Sequence, residues 1–218
     1  MKSTPADNAA LMLTDVMIRL DGRTLIDICA TVEPGEVLTV MGPSGAGKST
    51  LLHALAGSLA PAFELSGTVT MGGEDILSLP AETRRMGLLF QDPLLFPHLS
   101  VCGNVMIAIP RAVSKNRHER QDLAEDALTA IGLGGYGPRD PATLSGGQAA
   151  RVALQRTLLS GPRALLLDEP FSKLDAALRQ DMRRLVFDHA KARKLPVVLV
   201  THDPADAVAA GGELFQLD

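Results

Sequence analysis

The nine residues Gly42-Pro43-Ser44-Gly45-Ala46-Gly47-Lys48-Ser49-Thr50 decide the fold. They follow the apolar run Val37–Met41, which has the length of a buried strand, and they open the helical pattern Lys48–Ser58. A strand, a glycine-rich turn and a helix form the context in which G-x-x-x-x-G-K-[ST] cradles phosphate. Glycines let the backbone curl so that successive N–H groups converge on anionic oxygens, and the helix N-terminus adds partial positive charge. In such a cradle Lys48 reaches the β- and γ-phosphates of a nucleotide, and the Ser49 hydroxyl completes a Mg²⁺ shell. A ligand-free glycine turn would explain the glycines but not a Lys-Ser pair at this offset.

Working outward, Leu88–Phe90, Ala164–Leu167 and Val197–Val200 read as further buried strands. Between them lie the helical patterns Lys115–Ile131, Gln148–Ser160 and Asp175–Lys194. This alternation predicts an α/β fold with a mainly parallel sheet and ligands at the carboxyl ends of its strands. The first third differs. Leu11–Arg19, Leu25–Val32 and Gly67–Met71 read as an antiparallel β layer, punctuated by the turns Asp21-Gly22 and Gly72-Gly73. The stretch from about Asp92 to Ala150 reads as a helical subdomain inserted in the core, so that residues 1–218 form a single domain.

Composition agrees. The chain has 218 residues, 46% hydrophobic and 21% charged, enough for a substantial core and too apolar for disorder. Aromatics are 3%, so the core is aliphatic. A net charge of −4 gives no electrostatic reason to expect nucleic acid. No run approaches the roughly 18 apolar residues of a membrane span, and Met1–Ala10 lacks a secretory h-region, so a cytoplasmic protein is expected. Cys29 and Cys102 have no metal-ligand spacing and read as small buried hydrophobes.

Two further motifs carry chemistry. Ala164-Leu165-Leu166-Leu167-Asp168-Glu169-Pro170 is a buried strand ending in adjacent carboxylates. Beside a phosphate loop, Asp168 is expected to hold Mg²⁺ and Glu169 to polarise an attacking water. Leu144-Ser145-Gly146-Gly147-Gln148 places a hydroxyl and two glycines before a helix, a second phosphate-binding N-terminus. One nucleotide needs only one cradle, so this second one is expected to take the γ-phosphate of a nucleotide held by another subunit. An ordinary serine N-cap is the plainer reading of the same residues.

These three motifs, in this order over nearly the whole chain, resemble the nucleotide-binding subunits of ABC transporters. The resemblance implies a P-loop NTPase fold of the RecA-like kind, with the phosphate loop (Walker A) at Gly42–Thr50 and the signature at Leu144–Gln148. It assigns the glutamine loop to Gln91, touching the metal or its water, the D-loop to Ser172–Asp175, and the switch histidine to His202. It implies ATP and Mg²⁺ as cofactors, Asp175 beside the nucleotide, and hydrolysis by a head-to-tail homodimer. It also implies an integral membrane permease, a solute-binding protein in the complete system, and a place on the inner face of the membrane. Within the family, Arg84–Val105 is most similar to importers of small polar solutes, the thiamine, ferric iron and polyamine group, and the chain looks most like a thiamine-importer subunit.

Two departures matter. Sixteen residues follow His202, so no C-terminal regulatory domain is expected. The adenine-stacking position, normally aromatic, falls near Arg19 or Leu20, and no aromatic residue precedes Phe63. Base recognition is therefore expected from the Arg19 or Arg23 guanidinium, or from Leu20. A DNA-acting or ribosome-acting ABC ATPase is the rival reading. About 95 residues separate Lys48 from Leu144 without a heptad run, and there is one phosphate loop, which argues against both.

Overall fold

The computed structural model describes residues 9–43 and 45–217, so that Met1–Asn8, Ser44 and Asp218 lie outside the described residues. In Leu11–Leu20 (β1), Leu11, Leu13, Val16 and Ile18 are buried while Met12, Thr14, Asp15 and Arg19 face out. The alternation slips at Asp15, which adopts φ 49° in a bulge between Leu13 and Val16. The neighbouring strand makes room there with Gly67, at φ 89°, where a Cβ would stand 2.2 Å from the Asp15 carbonyl oxygen. Only glycine fits.

Arg23–Val32 (β2) pairs antiparallel with β1 through the two-residue turn Asp21-Gly22, both at positive φ as a tight hairpin requires. Phe63–Met71 (β4) pairs with the other edge of β1, and the short Glu74–Asp75 (β5) completes a sheet ordered β2-β1-β4-β5. The second sheet has the order β6-β7-β8-β3-β9, from Met86–Leu89, Ala164–Asp168, Val197–Thr201, Val37–Met41 and Glu213–Gln216 respectively. In it β3 runs parallel to β8 and β9, and β7 runs parallel to β8. The parallel and antiparallel sheets expected from the sequence are both present. Strands β3, β7 and β8 are buried along nearly their whole length and apolar apart from Thr39, Asp168 and Thr201, because both their faces are covered.

The chain divides into two compact units. The first comprises Met1–Leu88, Arg163–Glu169 and Arg183–Asp218. Its core joins Ile18, Ile26 and Ile28 of the antiparallel sheet to Val40, Leu166 and Val200 of the parallel one, with Leu51, Leu52 and Leu55 of Lys48–Ala56 (α1) packed into the same cluster. Arg84, the last residue of Ala81–Arg84 (α2), is buried and spends its guanidinium on backbone. It donates to Ala54 O at 2.7 Å and Leu55 O at 3.1 Å, two carbonyls in the last turn of α1, and to Leu77 O and Leu79 O.

The second unit comprises Leu89–Pro162 and Pro170–Met182. Val101–Met106 (α3), Arg117–Ala130 (α4) and Gly146–Leu159 (α5) pack around Val101, Val105, Leu128 and Leu154. Helix Ala176–Ala192 (α6) follows, and Pro204–Ala210 (α7) lies in the first unit.

Three expectations need correction. Cys29 is exposed, not buried, because it sits on the outward face of β2 opposite the Asp15 bulge. Its sulfur lies 3.1 Å from both the Asp15 N–H and Oδ1. Helix α5 begins at Gly146 rather than Gln148, so the two signature glycines form its first turn instead of preceding it. The strand expected at Leu88–Phe90 runs Met86–Leu89.

Candidate functional site

In the first unit, β3 delivers the chain into the glycine loop. A Cβ on Gly42 would stand 2.9 Å from Leu217 Cβ, so the turn needs glycine for close approach. Gly45 and Gly47 adopt φ 85° and 89°, and Gly47 caps α1 in the left-handed conformation. Lys48 is 6% exposed, and its Nζ donates to Gly42 O and Pro43 O, each at 2.8 Å. The ammonium thus sits inside the loop it belongs to.

Ser49 Oγ donates to Asp168 Oδ1 at 2.9 Å, joining α1 to the end of β7 across 119 residues of sequence. Burial pushes the Asp168 carboxyl above the ordinary carboxylate range; the Ser49 hydrogen bond opposes the shift and the Glu169 charge adds to it. A hydroxyl and a carboxylate oxygen at this separation are hard donors, the kind a small divalent cation takes. Glu169 leaves the strand at φ 45°, a left-handed conformation that costs a non-glycine residue about 1–2 kcal/mol. Its N–H is held by Val200 O at 2.9 Å. This turn sends the side chain toward the end of β8, where His202 Nδ1 lies 3.1 Å from Glu169 Oε1. The His202 side chain is 58% exposed.

The antiparallel sheet meets the same loop. A Cβ on Gly47 would lie 3.2 Å from Leu25 Cβ, two residues from the start of β2. At that end of the sheet the ladder aligns Arg19 with Glu64, and Leu20 with both Arg23 and Phe63. An aromatic ring therefore stands across the strands from the position where the sequence lacks one. Sequence order could not place it, since the register of β4 on β1 decides it.

The second unit holds the remaining expected residues. Ser145 caps α5, accepting from Gln148 N at 3.3 Å, while Gln148 Oε1 accepts from Ser145 N at 3.0 Å, a reciprocal capping box. Asp175 Oδ1 accepts from Leu178 N at 3.0 Å in the first turn of α6. Gln91 is exposed, and the adjacent Asp92 pairs with Lys173. Beyond it the loop is fixed by two side chains. Arg156 donates to Leu94 O and Pro93 O, and the fully buried Asn104 accepts from Phe96 N at 2.7 Å and donates to Phe96 O at 3.1 Å. Held this way, Leu94 and Phe96 remain 56% and 40% exposed. Ser44 lies outside the described residues.

The family model described as ABC transporter matches residues 25–172, from β2 through the phosphate loop and the signature to the residues after Glu169. The chain belongs to the ABC transporter family. It is an ATP-binding, ATP-hydrolysing subunit on the P-loop NTPase fold. It is 48% identical over 200 residues to an uncharacterized ABC transporter ATP-binding protein, YnjD, of Escherichia coli (strain K12), covering 91% of each chain. It is 43% identical over 191 residues to the Fe(3+) ions import ATP-binding protein FbpC of Brucella abortus (strain 2308), covering 88% of this chain and 53% of that one. The similar FbpC 1 of Rhizobium meliloti (strain 1021) is 42% identical over 189 residues. The chain thus spans about half the length of these iron-import relatives. Among the described residues of this ABC subunit, no helix is long and apolar enough to cross a membrane.

Proposed function

We propose that this ABC subunit binds Mg·ATP on Gly42–Thr50 and hydrolyses it to drive import of a small solute. The observation that carries the reading is the Ser49–Asp168 hydrogen bond, which aligns a phosphate-loop hydroxyl with a strand-end carboxylate. Gly42, Pro43, Gly45, Ala46, Gly47 and Thr50, with Ser44, wrap the phosphates. Lys48 exchanges its two carbonyl partners for phosphate oxygens. Ser49 and Asp168, assisted by Gln91, would hold Mg²⁺, which when bound neutralises charge on the β- and γ-oxygens. Glu169 accepts a proton from the attacking water, and His202, within hydrogen-bond reach of Glu169, contacts the γ-phosphate. The base lies against the end of the antiparallel sheet, with Phe63 and Leu20 as its platform and the Arg19 and Arg23 guanidinium groups beside it.

A second copy supplies the other wall. Ser145, Gly146, Gly147 and Gln148 present the N-terminus of α5 to the γ-phosphate, the Ser145 hydroxyl keeping its proton free to donate, and Asp175 approaches from the same copy. Two nucleotides in a head-to-tail homodimer result. Leu94 and Phe96, apolar and exposed on a braced loop, dock a cytoplasmic segment of a membrane permease, so the subunit works at the inner face of the membrane. A solute-binding protein completes the system. The relatives' names favour a ferric-iron substrate over thiamine. The whole chain is one functional ATPase domain with the helical part inserted at about 92–150.

Glu169→Gln tests the chemistry. It keeps the shape of the carboxylate and removes its basicity, so ATP binding persists while hydrolysis falls about 10²- to 10⁴-fold. An ATP-bound dimer then accumulates on size exclusion. Hydrolysis near the wild-type rate moves the base elsewhere.

A further inference from the structure

The His202 ring is half in solvent, yet the two residues beside it are fixed by a buried polar network. Thr201, 1% exposed, donates its hydroxyl to Asp206 Oδ2 at 2.6 Å and accepts the Asp203 N–H at 3.1 Å. Asp206, 3% exposed, accepts Arg183 Nε at 2.6 Å on its other oxygen, and Arg183 Nη2 contacts that same oxygen. Arg183 Nη2 also donates to Asp203 Oδ2 at 3.0 Å. One carboxylate and one guanidinium therefore grip the residue before His202 and the residue after it.

A buried ion pair is a poor way to add stability, since apolar packing of the same volume often does as well or better. What it adds is geometry: hydrogen bonds with defined directions, each lost if the loop shifts. Here those directions converge on the backbone that carries a single exposed imidazole, and that imidazole stands 3.1 Å from Glu169. We propose that Asp206, acting through Thr201 and Arg183, is a positioning residue that holds His202 in register with Glu169 for hydrolysis. The proposal rests on the reading of His202 as the γ-phosphate contact. Asp206 is 3% exposed and spends its two carboxylate oxygens on Thr201 and Arg183, so its loss changes turnover and leaves ATP binding in place.

The experiment compares Thr201→Val, which keeps the buried shape and removes the hydroxyl, with Thr201→Ser, which keeps the hydroxyl. Steady-state ATP hydrolysis by the full chain is the readout, with His202→Ala and Asp206→Asn measured alongside. The expected result for Thr201→Val is a kcat lowered at least about tenfold with the KM for ATP within about twofold. Thr201→Ser stays within about threefold of wild type, and Asp206→Asn follows Thr201→Val. If Thr201→Val unfolds, Asp206→Asn, nearly isosteric, carries the same kcat-against-KM comparison. Wild-type kcat in Thr201→Val or Asp206→Asn, with His202→Ala inactive, overturns the positioning role and leaves the reading of His202 intact. Wild-type kcat in His202→Ala overturns that reading itself. A parallel loss of kcat and rise of KM in both network variants marks a merely structural network and also overturns the proposal.

Discussion

Replacing Lys48 by Met separates what the ammonium does for the loop from what it does for the nucleotide. Met preserves the buried stem and deletes the two hydrogen bonds to Gly42 O and Pro43 O, each 2.8 Å long. Pro43 is exposed and Gly42 half-buried, so both carbonyls can turn to water, and removing the ammonium also removes the cost of burying it. The net loss without nucleotide is then below the usual charge-assisted range, about 1 kcal/mol. For a chain of this size that lowers Tm by about 2–4 °C. With nucleotide the difference grows. Wild-type protein at a hundred times its Kd for Mg·ATP gains about 2.7 kcal/mol. Losing one charge-assisted phosphate contact, about 1.5–3 kcal/mol, weakens binding roughly 10- to 150-fold. At the same ATP concentration the variant gains only about 0.3–1.4 kcal/mol. Thermal unfolding with and without Mg·ATP reads both terms. An ATP-induced shift equal to the wild type refutes the phosphate role of Lys48, and an unchanged nucleotide-free Tm refutes the energetic value of its carbonyl contacts.

Three other outcomes follow from the same structure. Burial and the neighbouring Glu125 push the Cys102 thiol up to about 11, so it stays protonated across pH 8–10, whereas Cys29 is exposed; a mild thiol reagent at pH 8 should modify one cysteine per native chain and the second only after denaturation, and two fast thiols would contradict the burial of Cys102. If Phe63 carries the base, Phe63→Ala should weaken ATP binding by about 1–3 kcal/mol, roughly five- to 150-fold, in competition against a fluorescent ATP analogue. Because stacking scarcely reads a base edge, wild-type preference for ATP over GTP should stay below about a hundredfold, and a larger preference requires a polar group reading the adenine.

Chemistry written as a contiguous pattern was legible in the sequence. The run Val37–Met41 and the glycine loop after it specify β3, the turn and α1 because apolar continuity, positive φ and helix capping act within a few residues. The same holds for Ala164–Asp168. Short elements escaped notice: α3 has six residues, α7 seven and β9 four, and β9 is mostly exposed, so none offers the sustained periodicity that marks a helix or strand. Cys29 faces outward by simple alternation in β2, with Ile26 and Ile28 inward and Asp27 and Cys29 outward, a pattern that the sequence does carry. Phe63 is not legible in that way. Its pairing with Leu20 follows from the β1–β4 register, a long-range property that local spacing does not encode. The Arg183–Asp206 contact lies 23 residues apart on two helices, where a sequence shows only two charged side chains.

The features that the first unit gathers around its phosphate loop are individually unfavourable, and that grouping is informative. Glu169 holds a left-handed backbone, Lys48 is buried, and the Asp168 carboxyl is raised by desolvation. An acid whose pKa is raised on folding contributes stability that is complete below its unfolded value and is lost as pH rises through the folded one. At neutral pH the ionised Asp168 therefore costs the nucleotide-free fold some stability. A divalent cation against that carboxylate reverses the sign, since it favours the charged form. On the proposed reading, the left-handed backbone at Glu169 fixes the direction of the carboxylate that would meet the attacking water. The site is arranged for a state that includes its ligands, and acidification should protonate Asp168 at a pH above that of ordinary carboxylates. On that same reading, protons then begin to compete with Mg²⁺ for Asp168 at a higher pH than for an ordinary carboxylate ligand, so the thermal shift produced by Mg·ATP should start to fall at that higher pH on acidification.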